Sequence, residues 1–162
     1  MTTSELHSKA REKYGSQYDS HLFKQYKMYV ESAEKISDRR QNANNYFITV
    51  NTAIITLLGL SFQIDFFDKL FWARGLLAVL GIIIAVIFWF LLRSYKQLNS
   101  GKFKVIHAIE KELPLALFDY EWAVLGKGEN KKLYYPFSHI ELFIPWVFGI
   151  LYLVLGFVFL IG

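Results

Sequence analysis

The sequence predicts an all-α integral membrane protein with three transmembrane helices, a single domain of 162 residues. Residues 46–64, 75–92 and 142–162 contain no charged side chain. Each stretch is close to the roughly 20 residues that cross a hydrocarbon core about 30 Å thick. Hydrophobic residues make up 54 % of the chain, which leaves too little polar surface to cover three such segments in a soluble domain.

The basic residues predict the orientation of the chain. Residues 1–43 and 93–139 each carry eight Lys and Arg side chains, whereas the link between the first two apolar stretches carries only Lys69 and Arg74. Cytoplasmic loops of membrane proteins are enriched in Lys and Arg. We therefore expect the N-terminus and residues 93–139 in the cytoplasm, and the 65–74 turn and the C-terminus outside.

Residues 1–43 are expected to form a long cytoplasmic amphipathic helix that continues into the first span, residues 44–64. The helix is predicted from about Ser20, with Asp19 or Ser20 as its cap. No proline or glycine lies between Ser20 and Leu58, so nothing in the sequence interrupts it. One broad apolar face is expected on its cytoplasmic part, made of Leu22, Phe23, Tyr26, Tyr29, Val30, Ala33 and Ile36.

The second span is predicted at residues 72–92 and the third at residues 140–161. Small residues at Gly75, Ala78, Gly81 and Ala85 give the second span a face suited to close helix packing. Between the two spans we expect a helical cytoplasmic segment, residues 93–139. Asn99-Ser100-Gly101 predicts a break in it, Pro114 a second interruption, and Gly126 the end of a short apolar helix before a polar loop at residues 127–132.

The sequence offers no motif for catalysis or for metal binding. It has no cysteine, and its histidines, at positions 7, 21, 107 and 139, lack the spacing of metal ligands. It also lacks a Gly-rich phosphate loop and the hydrolase motifs. The three uncharged stretches contain no acidic, basic or histidine side chain of the kind that proton-coupled transporters use. We expect no enzymatic activity and no cofactor.

The informative pattern is a polar stripe along the first span. At about 100° per residue its members fall within about 80° of the helix circumference. They are Asn45, Thr49, Thr52, Thr56, Gly59 and Gln63. Polar side chains are disfavoured in lipid, so the stripe faces protein or water. Two interpretations follow: polar packing between helices, or the lining of a pore. The pore requires a homo-oligomer, for which we expect at least four chains in the lipid bilayer.

Four basic residues close to the predicted spans are a second candidate site. They are Arg39, Arg40, Lys102 and Lys104. In an oligomer they would form a ring suited to the phosphate groups of a regulator. The alternative is that each side chain is solvated or extends to the membrane surface.

Two segments of the chain resemble the SLATT-domain membrane proteins of bacteria. One is the run Ile36-Ser37-Asp38-Arg39-Arg40-Gln41-Asn42-Ala43-Asn44-Asn45-Tyr46-Phe47, followed by Asn51-Thr52-Ala53. The other is Lys102-Phe103-Lys104-Val105-Ile106, with Leu113-Pro114 and Glu121-Trp122 after it. The resemblance covers roughly residues 20–160.

The resemblance implies a pore-forming effector of anti-phage defence in the bacterial inner membrane. Such effectors depolarise the infected cell in abortive infection. The resemblance is to the compact form with no attached sensor domain, as in the Hailong type of system. In that type a nucleotidyltransferase partner supplies a nucleotide or oligonucleotide that controls the channel. The resemblance favours the pore interpretation of the stripe, with Leu60 and Phe62 as apolar gate candidates. The alternative function is a non-conducting membrane scaffold that recruits a cytoplasmic enzyme.

Overall fold

A computed structural model describes residues 6–63, 71–129, 133–134 and 136–161. The protein is 83 % helical, and no strand occurs among these residues, which confirms the predicted all-α class. In chain order the helices are α1 (Arg11–Tyr14), α2 (Tyr18–Ser61), α3 (Phe71–Glu110), α4 (Leu117–Val124), α5 (Phe137–Glu141) and α6 (Ile144–Ile161), with a 3₁₀ turn at Gly126–Gly128.

The continuous first helix is confirmed, since α2 runs for 44 residues without interruption. It begins at Tyr18, two positions before the expected Ser20. The predicted cap at Asp19 or Ser20 is therefore wrong: both residues lie inside the helix, and the Asp19 carboxylate accepts a hydrogen bond from Arg11 at 2.7 Å. Gly15, with φ of 91°, turns the chain between α1 and α2.

The predicted break at Asn99-Ser100-Gly101 is wrong, because α3 passes through all three residues. A glycine inside a helix costs only about 1 kcal/mol relative to alanine. Two of the residues that follow, Ile106 and Ile109, are 0 % and 8 % exposed. Their burial is worth more than the glycine costs, and it holds the helix together.

The interruption near Pro114 is confirmed, and a buried carboxylate organises it. Proline disfavours helical backbone at the residue before it, and α3 ends at Glu110. The Glu110 side chain is 1 % exposed and accepts the N–H groups of Phe118 and Asp119, both at 3.0 Å, in the first turn of α4. It also accepts the hydroxyl of Tyr26 at 2.9 Å.

The phenol of Tyr26 stays protonated as a donor to Glu110. Burial, followed by the hydrogen bond and the negative charge of Glu110, raises the pKa of Tyr26 to about 12.

Further along, α4 ends before Gly126 as predicted, where positive φ values of 66°, 53° and 73° at Gly126, Lys127 and Gly128 reverse the chain. Part of the expected polar loop, residues 130–132, lies outside the described residues.

The described chain divides into two compact units. The first combines Met1–Ser37 with Gln97–Tyr135, and the second combines Asp38–Lys96 with Pro136–Gly162. In the first unit, the predicted apolar face of α2 is partly confirmed. Ala33 is buried, its neighbours on this face are half-buried, and only Phe23 is exposed.

The second unit has a core of three helix segments. Ile54 and Leu58 of α2 meet Ala78 and Ala85 of α3 and Tyr152 of α6. The rings of Phe47 and Phe88 stack at 4.9 Å, and Arg74 donates to the carbonyl of Ser61 at 2.6 Å, so α2 and α3 run antiparallel here. The predicted turn between them falls largely on residues 64–70, outside the described residues.

The membrane-spanning prediction is supported for one helix by length and composition. Among the described residues, Trp72–Glu110 is long and apolar enough to cross a membrane, with a mean hydropathy of 2.9 in its most apolar window. Ile144–Val158 is a shorter apolar helix. The third apolar helix begins at Ile144 rather than at residue 140, because a turn at Leu142 and Phe143 separates it from α5. The full three-span topology stays a prediction.

Candidate functional site

All six residues of the polar stripe are exposed in the second unit. The residues are Asn45, Thr49, Thr52, Thr56, Gly59 and Gln63. A Cβ atom placed on Gly59 would meet nothing within 4 Å, so this glycine does not serve a close helix contact within the chain. Within the described part of one copy the stripe is therefore not packed against another helix. Packing between copies and a pore lining both stay predictions.

The opposite side of α2 is the side that packs. Asn51, Ile54, Leu58 and Ser61 are 0 %, 8 %, 2 % and 0 % exposed. Their spacings of three, four and three residues place them on one face of the helix. That face is centred roughly 180° from the polar stripe at 100° per residue. In this unit α2 thus buries one face against its own chain and leaves the polar face uncovered.

Hydrogen bonds along the stripe are local. The hydroxyls of Thr49 and Thr56 donate to the carbonyls of Asn45 and Thr52, at 2.9 and 2.8 Å. Such bonds to the carbonyl four residues back reduce the penalty of a hydroxyl in an apolar setting. The side-chain amides of Asn45 and Gln63 make no hydrogen bond to another residue in the described part of the chain.

The C-terminal end of the stripe departs from helical geometry. Because α2 ends at Ser61, Phe62 and Gln63 lie in a turn whose N–H groups reach the carbonyls of Gly59 and Leu60. Of the two gate candidates, Leu60 is 47 % exposed within the helix beside the stripe. The other candidate, Phe62, has the guanidinium of Arg74 5.0 Å from the centroid of its ring.

A buried polar contact between α2 and α6 was not predicted from the sequence. The hydroxyl of Tyr152 lies 3.1 Å from the carbonyl oxygen and 3.0 Å from the side-chain oxygen of Asn51. The Asn51 amide donates to the carbonyl of Phe47 at 2.7 Å. Both side chains are 0 % exposed. The signal available in the sequence is an asparagine in the first span that falls outside the stripe, together with one tyrosine in the third.

The small-residue face of the second span receives that tyrosine. The ring of Tyr152 occupies the space where a Cβ atom on Gly81 would lie. Ala78 and Ala85, one turn to either side, are buried in the same core. The prediction that this face serves close packing is confirmed.

The four basic residues divide between the two units. In the second unit, Arg39 is exposed, whereas the Nε atom of Arg40 lies 3.4 Å from the carboxylate of Glu141, with side chains 17 % and 4 % exposed. In the first unit, Lys104 is exposed, whereas the ammonium of Lys102 donates to Ser32 at 2.8 Å and lies 4.6 Å from the ring centroid of Tyr29. Arg40 and Lys102 are thus engaged within the chain, and a regulator-binding role for these residues stays a prediction.

Comparisons with known proteins give one family. The model of the octameric membrane protein family (8xMP) matches residues 23–161, nearly the whole chain. No curated protein and no solved structure gives a significant match. The match agrees with the expected oligomeric membrane protein and does not itself identify the SLATT family.

Proposed function

We propose, from the premise that the chain belongs to the octameric membrane protein family, that its copies assemble into an ion-conducting pore lined by the polar stripe of α2. The observation that carries this proposal is the exposure of all six stripe residues on a helix whose opposite face is packed. In a monomeric membrane protein this exposed face would meet lipid. In a ring of copies it meets water.

Energetics favour water over lipid at this face. Unsatisfied polar groups in the bilayer core cost several kcal/mol each. The hydroxyls of Thr49 and Thr56 have backbone acceptors, but the hydroxyl of Thr52, near the middle of the predicted span, has no partner among the described residues. Water in a lumen forms hydrogen bonds with this side chain in every copy. A dry interface between copies would supply them only where a complementary side chain stands opposite.

Eight copies set the scale of such a pore. Neighbouring helix axes about 10 Å apart form a ring about 13 Å in radius, which leaves a lumen about 8 Å in radius after subtraction of a helix radius of about 5 Å. A lumen of this width passes hydrated ions with little discrimination. Unselective conduction collapses a membrane potential.

The biological role that we propose is the effector step of a bacterial anti-phage defence system. Its support is the resemblance to SLATT-domain proteins, which also suggests gating by a nucleotide or oligonucleotide from a partner enzyme. We propose the same orientation as the basic residues predict, with the N-terminus and residues 93–139 in the cytoplasm of the inner membrane and the C-terminus outside. Arg39 and Lys104, the two exposed residues among the four basic candidates, are then the candidates for contact with the regulator.

Cysteine accessibility tests the pore lining directly, because the natural chain has no cysteine. Single cysteines are introduced at Thr49, Thr52 and Thr56, and the variants are reconstituted in planar bilayers. We expect a charged, water-soluble thiol reagent to change the current through each one. The matched controls are Leu57→Cys, on an exposed apolar position, and Ile54→Cys, in the core, which should not respond.

The same experiment separates the proposal from its alternatives. Current that is insensitive to reagent at all three threonine positions would exclude α2 as the lining. The complete absence of current from an assembled, correctly inserted wild-type protein, with the gating signal supplied from extract of infected cells, would favour a non-conducting scaffold.

A further inference from the structure

The second unit contains an apolar groove that the proposed pore does not use. It lies between α3 and α6, has a volume of about 400 Å³, and is lined only by apolar and aromatic residues. The lining runs from Ile82 to Phe90 on α3 and from Pro145 to Leu153 on α6. Ala85 and Gly149 form part of its wall, where a single methyl group and the absence of a side chain leave the space open.

The groove has one aromatic and basic end. Trp89 and Trp146, whose ring centroids are 6.4 Å apart, both line it near the start of α6. The guanidinium of Arg93 lies 5.2 Å from the ring centroid of Trp89. Arg93 is exposed, and no carboxylate in the described ranges pairs with it.

We propose that this groove binds one acyl chain of an anionic phospholipid, with the phosphate-bearing headgroup at Arg93. The eight residue steps from Ile82 to Phe90 span about 12 Å, close to the roughly 15 Å of hydrocarbon in one leaflet. The tryptophans then lie at the depth where aromatic rings are enriched. By the predicted orientation Arg93 is on the cytoplasmic side, where anionic lipids attract basic residues.

A phospholipid fits this groove better than a second copy of the chain. The occupant has to combine a hydrocarbon segment with an anion at one end. The apolar segments of another copy, residues 75–92 and 142–162, contain no acidic residue, and Glu141, which directly precedes the third segment, is already paired with Arg40. The inference rests on membrane insertion and on the predicted orientation, and it is independent of whether the stripe of α2 conducts.

Quenching of tryptophan fluorescence by brominated acyl chains tests the site. In a Trp72→Phe/Trp122→Phe background the remaining tryptophans are Trp89 and Trp146. We expect brominated phosphatidylglycerol to quench them with about fivefold higher apparent affinity than brominated phosphatidylcholine of the same chain length. Arg93→Gln should abolish this preference.

A substitution that fills the groove provides a second test of the lipid site. A Cβ atom on Gly149 meets nothing within 4 Å, so Gly149→Leu enters the groove without a clash at Cβ. It should reduce quenching by both lipids, whereas Val147→Leu, on an exposed position outside the lining, should leave quenching unchanged. Equal affinity for the two lipids in the parent protein, unchanged quenching in Gly149→Leu, or loss of oligomer mass in Gly149→Leu would overturn the proposal. The last outcome would identify the occupant as a second copy.

Discussion

Individual polar residues of α2 play two different roles, although they are neighbours in sequence. Asn51 is fully buried against Tyr152, whereas Thr52 is exposed on the polar stripe. Helical periodicity predicted the stripe because it fixes the angle between residues. It did not predict which face of the helix packs against the chain, because that depends on the partner helices. The contact of Asn51 with Tyr152 joins residues 101 positions apart and was therefore invisible to a pattern within one span.

Substitution by alanine should lower stability at Gly81 and not at Gly59, because only Gly81 lies against the side chain of another helix. Gly81→Ala should lower the thermal unfolding midpoint in detergent, because its methyl group collides with the ring of Tyr152 and overpacking costs about 1–3 kcal/mol. Gly59→Ala is the control, since its Cβ meets nothing and alanine favours the helix. A Gly81→Ala protein as stable as Gly59→Ala would contradict the packing of α3 against α6.

The buried ion pair distinguishes Arg40 from its neighbour Arg39. Arg40→Gln leaves the nearly inaccessible carboxylate of Glu141 without its cation, and we expect a loss of about 3 kcal/mol in unfolding free energy. Arg39→Gln, at an exposed position, should change stability by less than about 0.5 kcal/mol. Chemical denaturation in mixed micelles measures both, and equal effects would mean that the Arg40–Glu141 pair is not structural.

At the scale of elements, the sequence predicted helices better than it predicted their ends. Continuity of α2 followed from the absence of proline and glycine, and the end of α3 from Pro114. The predicted break at Gly101 failed because local propensity is small beside the burial of Ile106 and Ile109. The start of α6 at Ile144 was not visible in the sequence, because the uncharged turn Leu142-Phe143 is as apolar as the helix that follows it.

The start of α4 depends on one carboxylate from another helix. Glu110→Ala removes the acceptor of two N–H groups in the first turn of α4 and of the Tyr26 hydroxyl, so we expect a loss of about 3 kcal/mol. Limited proteolysis should then cut near residues 114–119 several times faster than in the wild type. The control is Glu112→Ala, whose exposed carboxylate lies 3.9 Å from His7. Identical digestion of the two variants would exclude the capping role of Glu110.

At the scale of the whole molecule, the polar stripe is a surface that the described part of its own chain does not cover. A family described as octameric predicts a defined assembly rather than a range of sizes. Native mass spectrometry in mild detergent should give a mass of eight copies of the 19.0 kDa chain. A clean monomer in several detergents would contradict both the assembly and the pore.

The central claim is that the stripe of α2 faces water in that assembly. Thr52 is exposed on the stripe, whereas Ile55, about 60° away around the helix and outside the stripe, packs against the core. An arginine at the membrane centre costs at least about 2.5 kcal/mol unless it is hydrated. Thr52→Arg should therefore assemble as the wild type does, whereas Ile55→Arg should disrupt folding or assembly.

Single-channel recording of the Thr52→Arg oligomer is the most direct test. Eight arginines around the lumen should lower the conductance to cations at least twofold and shift the reversal potential toward that of anions, relative to the wild type at the same voltage and salt. An assembled Thr52→Arg oligomer with unchanged conductance and unchanged ion preference would contradict the account, because the ion path would then lie elsewhere than along the stripe of α2.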